Sequence, residues 1–267
     1  MDTTVRFWNG NKTDARRAYE QELLELVLSA AAERAGGNGW KLVVDDTDYP
    51  RAEDEGAVLE QGTDLLVTVA GNRKFEGRAK IEVSRPLAKG LLGYRIPLVR
   101  ADRVNELSTV SSVADLRAFR VGVPATWADA GLFRYNKCQV REQGGLETIF
   151  DLVRSGACDY TTLGANEVEA VLEQYAEAAH GIVMHPSVLI FYPFPLVFYV
   201  NAGRPDLADL LAQGLETLEA DGTLDELFNR HYGRQVKRLS LSTRSRLELD
   251  NPATGTIPLD SLPSYEG

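Results

Sequence analysis

Cysteine is nearly absent. Cys138 and Cys158 are the two cysteines in 267 residues, too few for a disulfide scaffold, and no CxxC pair suggests zinc or redox work. Histidine is scarce as well: His180, His185 and His231 are the three, and their spacing fits no metal-ligand pattern. Each reads as a surface or structural histidine. Positive charge is in deficit, with 29 Lys plus Arg against 39 Asp plus Glu and a net charge of −10. Proteins that grip nucleic acid displace counterions from phosphates with a basic surface. Neither nucleic acid nor an anionic membrane surface is therefore an expected partner.

Long apolar runs are missing too. The longest, SVLIFYPFPLVFYV from Ser187 to Val200, falls short of the roughly 20 residues that cross a bilayer, and Pro193 and Pro195 interrupt it. No leader-like segment precedes the strand-like DTTVRFW, so the chain reads as a cytosolic product or as the mature part of an exported one. Chemistry-bearing motifs are absent: no P-loop, GxSxG elbow or HExxH occurs, and AGGNGW lacks the third glycine of a dinucleotide loop. Asn11-Lys12-Thr13 matches a glycosylation sequon, a triplet that arises often by chance. Nothing announces an enzyme, and neither a metal nor a cofactor is expected.

What is present is an alternation of strand and helix, the pattern of an α/β fold. VRFW reads as a strand, and a helix follows from about Tyr19 to Ala35, with Leu23, Leu24, Val27, Leu28 and Ala31 on one stripe. Gly36 is placed to cap it in the left-handed conformation. KLVVDD is a second strand, AVLEQG the end of a short helix, and DLLVTVAG (Asp64 to Gly71) a third strand. That strand is apolar enough to be buried on both faces, as parallel strands usually are. The rhythm resumes after GLLGYRIPLVR, with strands RVGVP, CQVREQ and CDYTTLG separated by helices, and then FPLVFYVN. Two α/β units of similar size predict two lobes, crossed by hinge strands at about Leu92 to Val99 and Leu196 to Val200. The expected boundaries are residues 1–97 plus 198–267 for lobe 1 and 98–197 for lobe 2. Two amphipathic helices close lobe 1, with Gly222 between them. Beyond Gly233 the composition turns to Ser, Thr, Pro and charge, which predicts an extended tail over the surface.

Several segments together carry a resemblance. TDLLVTVAGNRKFEGRAKIEVSRPLAKGLLGYRIPLV, VADLRAFRVGVPATWADAGLF, GLETIFDLVRSGACDY and FPLVFYVNAGRPDLADLLAQGLETLEADGTLDELFNRHYG follow one another between Asp64 and Gly233. In that order the chain resembles a divergent branch of the family 3 periplasmic solute-binding proteins, type II. The resemblance implies two doubly wound lobes that close on a small molecule, an amino acid or another organic carboxylate. It also implies a periplasmic monomer whose signal peptide has been removed, serving the membrane permease of an ABC importer or a sensor. A ligand-sensing module for a membrane receptor is the alternative, and an enzyme on the same scaffold, dehydratase-like, is a further one.

The resemblance carries residues with it. Arg78, shortly before VSRP, matches the family arginine that holds a ligand carboxylate, and Arg73 is its rival because it follows the strand end more closely. A guanidinium gives such a carboxylate a bidentate grip. Thr68 and Ala70 fall where relatives present a hydroxyl and backbone amides, although Ala70 has no hydroxyl. Trp8 and Tyr19 are candidates for an aromatic wall, and Thr126 and Trp127 for a hydroxyl donor and a stacking face in lobe 2. The place of the family's ammonium-binding aspartate is held by Gly164, with Asn166 and Glu167 just beyond. Either Glu167 takes over the charge or the ligand is not a plain α-amino acid. The pair also suits a cap and a first-turn acid of the next helix. Glu167 is the one acid available to an enzyme. As for the cysteines, the CQVREQ and CDYTTLG strands are expected to flank RVGV on opposite sides. Two strand spacings, about 9.5 Å, exceed the roughly 7 Å limit for a disulfide, so both thiols are expected free and buried.

Overall fold

The computed structural model describes residues 4–35 and 39–254; the predicted cap at Gly36 lies outside them. In chain order the first elements are β1 (Thr4–Trp8), α1 (Asp14–Ala35), β2 (Lys41–Asp45), α2 (Ala52–Gly56), β3 (Leu65–Val69), β4 (Lys80–Val83) and β5 (Tyr94–Arg100). There follow α3 (Val104–Leu107), α4 (Val113–Leu116), β6 (Arg120–Val123), α5 (Ala128–Tyr135), β7 (Gln139–Glu142), α6 (Leu146–Arg154), β8 (Tyr160–Gly164) and α7 (Val168–Gln174). The last are β9 (Ile182–Met184), β10 (Val188–Phe191), β11 (Leu196–Asn201), α8 (Pro205–Ala220), α9 (Thr223–Leu239) and β12 (Ser245–Glu248). The chain divides into two compact units, Met1–Lys89 with Pro195–Arg234, and Gly90–Phe194 with Gln235–Gly267.

Unit 1 is built on a five-stranded sheet in the order β2-β1-β3-β11-β4. β1 runs parallel to β2 and β3, whereas β11 is antiparallel to both β3 and β4. The buried strand β3 thus has a parallel neighbour on one side only. Helix α1 starts five residues before the expected Tyr19, because its polar first turn, opened by Asp14, is helical as well. The stripe of Leu23, Leu24, Val27 and Leu28 is buried as expected. α8 crosses α1 so closely that a Cβ on Gly214 would lie 2.6 Å from the Val27 carbonyl oxygen; no larger residue fits there.

Unit 2 carries a sheet in the order β12-β10-β5-β8-β6-β7, with β9 also pairing to β5. Strand β6 is parallel to both β7 and β8 and lies between them. That arrangement keeps apart Cys138 and Cys158, which are free and buried, and burial raises both thiols' pKa. Leu116, Phe133, Ile149, Phe150 and Leu163 are among the residues of this core.

The C-terminal region departs from the sequence expectation. Helix α9 continues through Gly233 to Leu239 and ends at Ser240, whose φ of 48° is left-handed. The tail then forms β12, parallel to β10 over four residue pairs from Val188–Ser245 to Phe191–Glu248. Asn136 clasps Asp250 in both directions: its Nδ2 donates to the Asp250 carbonyl at 2.8 Å and its Oδ1 accepts the Asp250 amide at 3.0 Å. Residues from Gln235 therefore group with unit 2, although the sequence reading put them in lobe 1. β5, expected to be divided between the lobes at residue 97, lies wholly within unit 2. Among the described residues no helix is long and apolar enough to cross a membrane.

Candidate functional site

Open α/β sheets bind ligands beyond the C-terminal ends of their parallel strands. In unit 1 those ends are β1 and β3. Trp8 closes β1 and is 2% exposed. Its Nε1 donates to the Thr47 carbonyl at 2.9 Å, and its ring lies 6.0 Å from that of Tyr49. The Lys12 ammonium sits 5.9 Å from the Trp8 ring and 5.3 Å from the Phe7 ring. Burial lowers the Lys12 pKa, and the neighbouring Glu20 works against that shift. Glu20 holds Lys12 at 2.5 Å and Arg16 at 2.8 Å. Nearby, Glu55 accepts from Asn11 at 2.6 Å and from Lys74 at 2.7 Å. The charged groups at the end of β1 are thus matched among themselves.

The end of β3 is equally engaged. Thr68 Oγ1 accepts from Asn72 Nδ2 at 2.7 Å. The Ala70 amide donates to the Pro195 carbonyl at 3.0 Å, and the Gly71 amide to the Tyr199 hydroxyl at 2.9 Å. Burial, aided by Glu82, pushes the Tyr199 phenol up to about 12, so it stays neutral. Arg78 is paired with Glu60 at 2.8 Å. Arg73, by contrast, is exposed and has no ion pair among the described residues. Tyr19 is not placed as a wall: it is 1% exposed, its hydroxyl donates to the Leu87 carbonyl at 2.5 Å, and its ring packs 4.8 Å from Tyr232 and 5.4 Å from His231.

In unit 2 the strand ends are β6 and β8. Thr126 follows β6 with a φ of 69°, unusual for a β-branched residue; Glu142 holds its amide at 3.0 Å. Its side chain is exposed, and the half-buried Trp127 precedes α5. After β8, Gly164 leaves room for its neighbours, because a Cβ there would lie 2.5 Å from Leu92 Cδ1 and 2.7 Å from Asn166 Oδ1. Asn166 is 1% exposed, and neither its Nδ2 nor its Oδ1 has a hydrogen-bond partner among the described residues. Glu167 turns inward and accepts the Gly164 amide on Oε1 at 3.2 Å.

The centre of this cluster is a residue that the sequence reading passed over. Arg95 on β5 pairs in register with Gly164 of β8 and is 1% exposed. Its Nη2 meets Asp129 Oδ1 at 2.8 Å, and its Nη1 lies 3.7 Å from Glu167 Oε1. The guanidinium also donates to the carbonyls of Leu92 and Thr162, each at 3.2 Å. The rings of Tyr192 and Phe194 lie 5.8 Å from it. The Tyr192 hydroxyl donates to Asp129 Oδ1 at 2.5 Å, and burial raises its pKa well above the usual value. Asp129 was missed as well. The signal was there: an arginine inside the apolar strand YRIPLV needs a buried partner, and Asp129 stands in the first turn of α5. No group of three or more His, Cys, Asp or Glu among the described residues could hold a metal ion.

No protein-family profile and no curated protein sequence matches the chain. Solved structures do. An ancestral arginine-binding protein bound to arginine is similar over 87% of this chain and 99% of its own, with a TM-score of 0.57 at 17% identity. An amino-acid ABC transporter substrate-binding protein from Streptococcus pneumoniae, bound to L-arginine, matches over 86% and 94% with a TM-score of 0.56 at 12% identity. The ancestral amino acid-binding protein AncCDT-1, a precursor of cyclohexadienyl dehydratase, matches over 86% and 96% with a TM-score of 0.54 at 19% identity. The chain has the fold of these proteins, that of the type II periplasmic binding proteins.

Proposed function

We propose that the chain is a solute-binding protein that captures one small, carboxylate-bearing solute between its units for the permease of an ABC importer, as a periplasmic monomer. The observation that supports this most is the likeness of the fold, over 86–87% of the chain, to proteins that bind amino acids. Hinge closure on a ligand is the usual working motion of two rigid units joined by short crossings. For the carboxylate we assign Arg73 in place of Arg78, since Glu60 already holds Arg78. Thr68, Thr126, Trp127 and Asn166 complete the proposed contacts, while Trp8, Tyr19 and Ala70 serve packing and the backbone. A sensing role would use the same capture step with a receptor in place of the permease.

The enzyme alternative asks for a proton-donating acid. Glu167 is held as an acceptor by the Gly164 amide at 3.2 Å and lies 3.7 Å from Arg95, so its Oε1 is already engaged within unit 2. We therefore assign it no catalytic role.

The test is thermal unfolding of protein that has been denatured, stripped of carried ligand and refolded, against a panel of amino acids and organic acids. A ligand at a hundred times its dissociation constant adds about 2.7 kcal/mol, a shift of roughly 5–11 °C for a chain of this size. Such a shift, reduced in Arg73→Ala and kept in Arg78→Ala, is expected. A panel without any shift would defeat the solute-binding reading.

A further inference from the structure

We infer that unit 2 reads an uncharged hydrogen-bonding group of the solute, a hydroxyl or an amide, and that Arg95 is the specificity-determining residue that turns an ammonium away. This rests on the solute-binding reading and names the class of ligand: a hydroxy acid or an amide-bearing organic acid, not an α-amino acid.

Two carboxylates, Asp129 and Glu167, stand beyond the ends of β6 and β8, and either could attract an ammonium. Both face inward. Asp129 Oδ1 takes Arg95 at 2.8 Å and the Tyr192 hydroxyl at 2.5 Å. Glu167 Oε1 takes the Gly164 amide at 3.2 Å and lies 3.7 Å from Arg95. The guanidinium between them is permanently charged and cannot swing aside, because two backbone carbonyls and two aromatic rings fix it. An ammonium drawn to either acid would approach a second, immobile cation where little water screens the repulsion.

Asn166 supplies the complementary half. It is the residue between Ala165 and the inward-turned Glu167, it is buried, and both polar atoms of its amide lack partners among the described residues. Buried donors and acceptors are costly when left unmade. A neutral amide presents an NH2 donor group and a carbonyl acceptor side by side, and a hydroxyl or another amide can bond to both of them. An ammonium has no acceptor to offer and would leave the Asn166 donor unmade. Gly164 keeps the room for this side chain, since any Cβ there would crowd Asn166 Oδ1 at 2.7 Å.

The experiment uses the whole chain and matched pairs: L-alanine with L-lactate, L-glutamate with L-2-hydroxyglutarate, L-phenylalanine with L-phenyllactate. Dissociation constants come from calorimetry. The best-bound hydroxy acid is expected to bind at least about tenfold tighter than its amino partner, a difference of about 1.4 kcal/mol. Asn166→Ala should lower that ratio by weakening the hydroxy acid alone, and Arg95→Gln should shift it toward the amino acid. If Arg95→Gln does not fold, the wild-type ratio and Asn166→Ala decide. Amino acids binding as tightly as their partners, or a ratio unmoved by Asn166→Ala, would overturn the ligand class while sparing the solute-binding reading. Binding by neither series would overturn both.

Discussion

Replacing Arg95 by methionine keeps the length of the side chain and removes its charge. Two buried carboxylates then lose the cation that lies 2.8 Å from Asp129 and 3.7 Å from Glu167, and two backbone carbonyls lose a donor. Breaking a buried pair from one side costs about 3–5 kcal/mol, because the remaining charge is left desolvated. At roughly 2–4 °C per kcal/mol for a chain of this size, the melting temperature should fall by roughly 6–20 °C. Adding Asp129→Asn removes one stranded charge while leaving an oxygen for the Tyr192 hydroxyl. The double variant should therefore be more stable than Arg95→Met alone, with a coupling of about 1–3 kcal/mol in the cycle. Urea unfolding followed by tryptophan fluorescence measures this, since Trp127 reports from unit 2 while Trp8 and Trp40 report from unit 1. A loss below about 1 kcal/mol for Arg95→Met, or a cycle that adds within about 0.5 kcal/mol, would refute the description of Arg95 as the organising cation.

Two further predictions concern unit 2. His185 Nδ1 accepts the amides of Ser187 and Val188 at 3.3 and 3.0 Å, and Nε2 lies 3.1 Å from the Val104 carbonyl. The neutral ring protonated on Nε2 thus satisfies all three, and burial lowers the His185 pKa. Its contribution to stability is full above about pH 6.5, the unfolded value, and is lost as the pH falls from there toward the lower folded value. His185→Gln should flatten the fall of stability over that window, and identical slopes would contradict the assignment. A chain ended after Ser240 loses β12 and the buried Leu247 and Leu249. At about 1.5–3 kcal/mol for each buried leucine, the unit 2 transition should move to clearly lower urea, and an unchanged midpoint would refute the anchoring role of the tail.

Much of the scaffold was legible because periodicity is local. The α6 segment LETIFDLVRSG shows its buried face in Ile149, Phe150 and Val153, and the strand ends that carry Trp8, Thr126 and Asn166 follow from where alternation stops. The tail was not legible. SRLE has one apolar residue, and what makes it a strand is a distant partner, β10, which no local pattern reveals. Gly233 reads as a helix end, yet α9 passes through it because Tyr232 and Leu239 are buried on either side, and tertiary packing overrides a propensity cost of about 1 kcal/mol. Tyr19, a candidate for an aromatic wall, is buried with its hydroxyl on the Leu87 carbonyl and its ring against Tyr232 and His231, partners distant in sequence that no local pattern names. Arg78 is half-buried and paired with Glu60 whereas Arg73 is exposed, a difference again made by a contact distant in sequence.

If the chain captures a solute as proposed, its two units would divide the work of recognition unequally. At the end of β3 in unit 1, where a cradle of amides would meet an anion, Ala70 and Gly71 already give their N–H groups to Pro195 and Tyr199. An incoming carboxylate would have to break these bonds to use the amides, exchanging one set of hydrogen bonds for another at little net gain. An exposed arginine is a different kind of contact, since it needs no internal bond broken, but its attraction is weakened by water and salt. Such a contact draws in many anions and discriminates poorly among them. In unit 2 the orphaned amide of Asn166 lies buried, where a wrong partner leaves a donor or an acceptor unmade and is penalised in full. Under the solute-binding proposal, the anion would set that a solute binds, and the end of β8 would set which one.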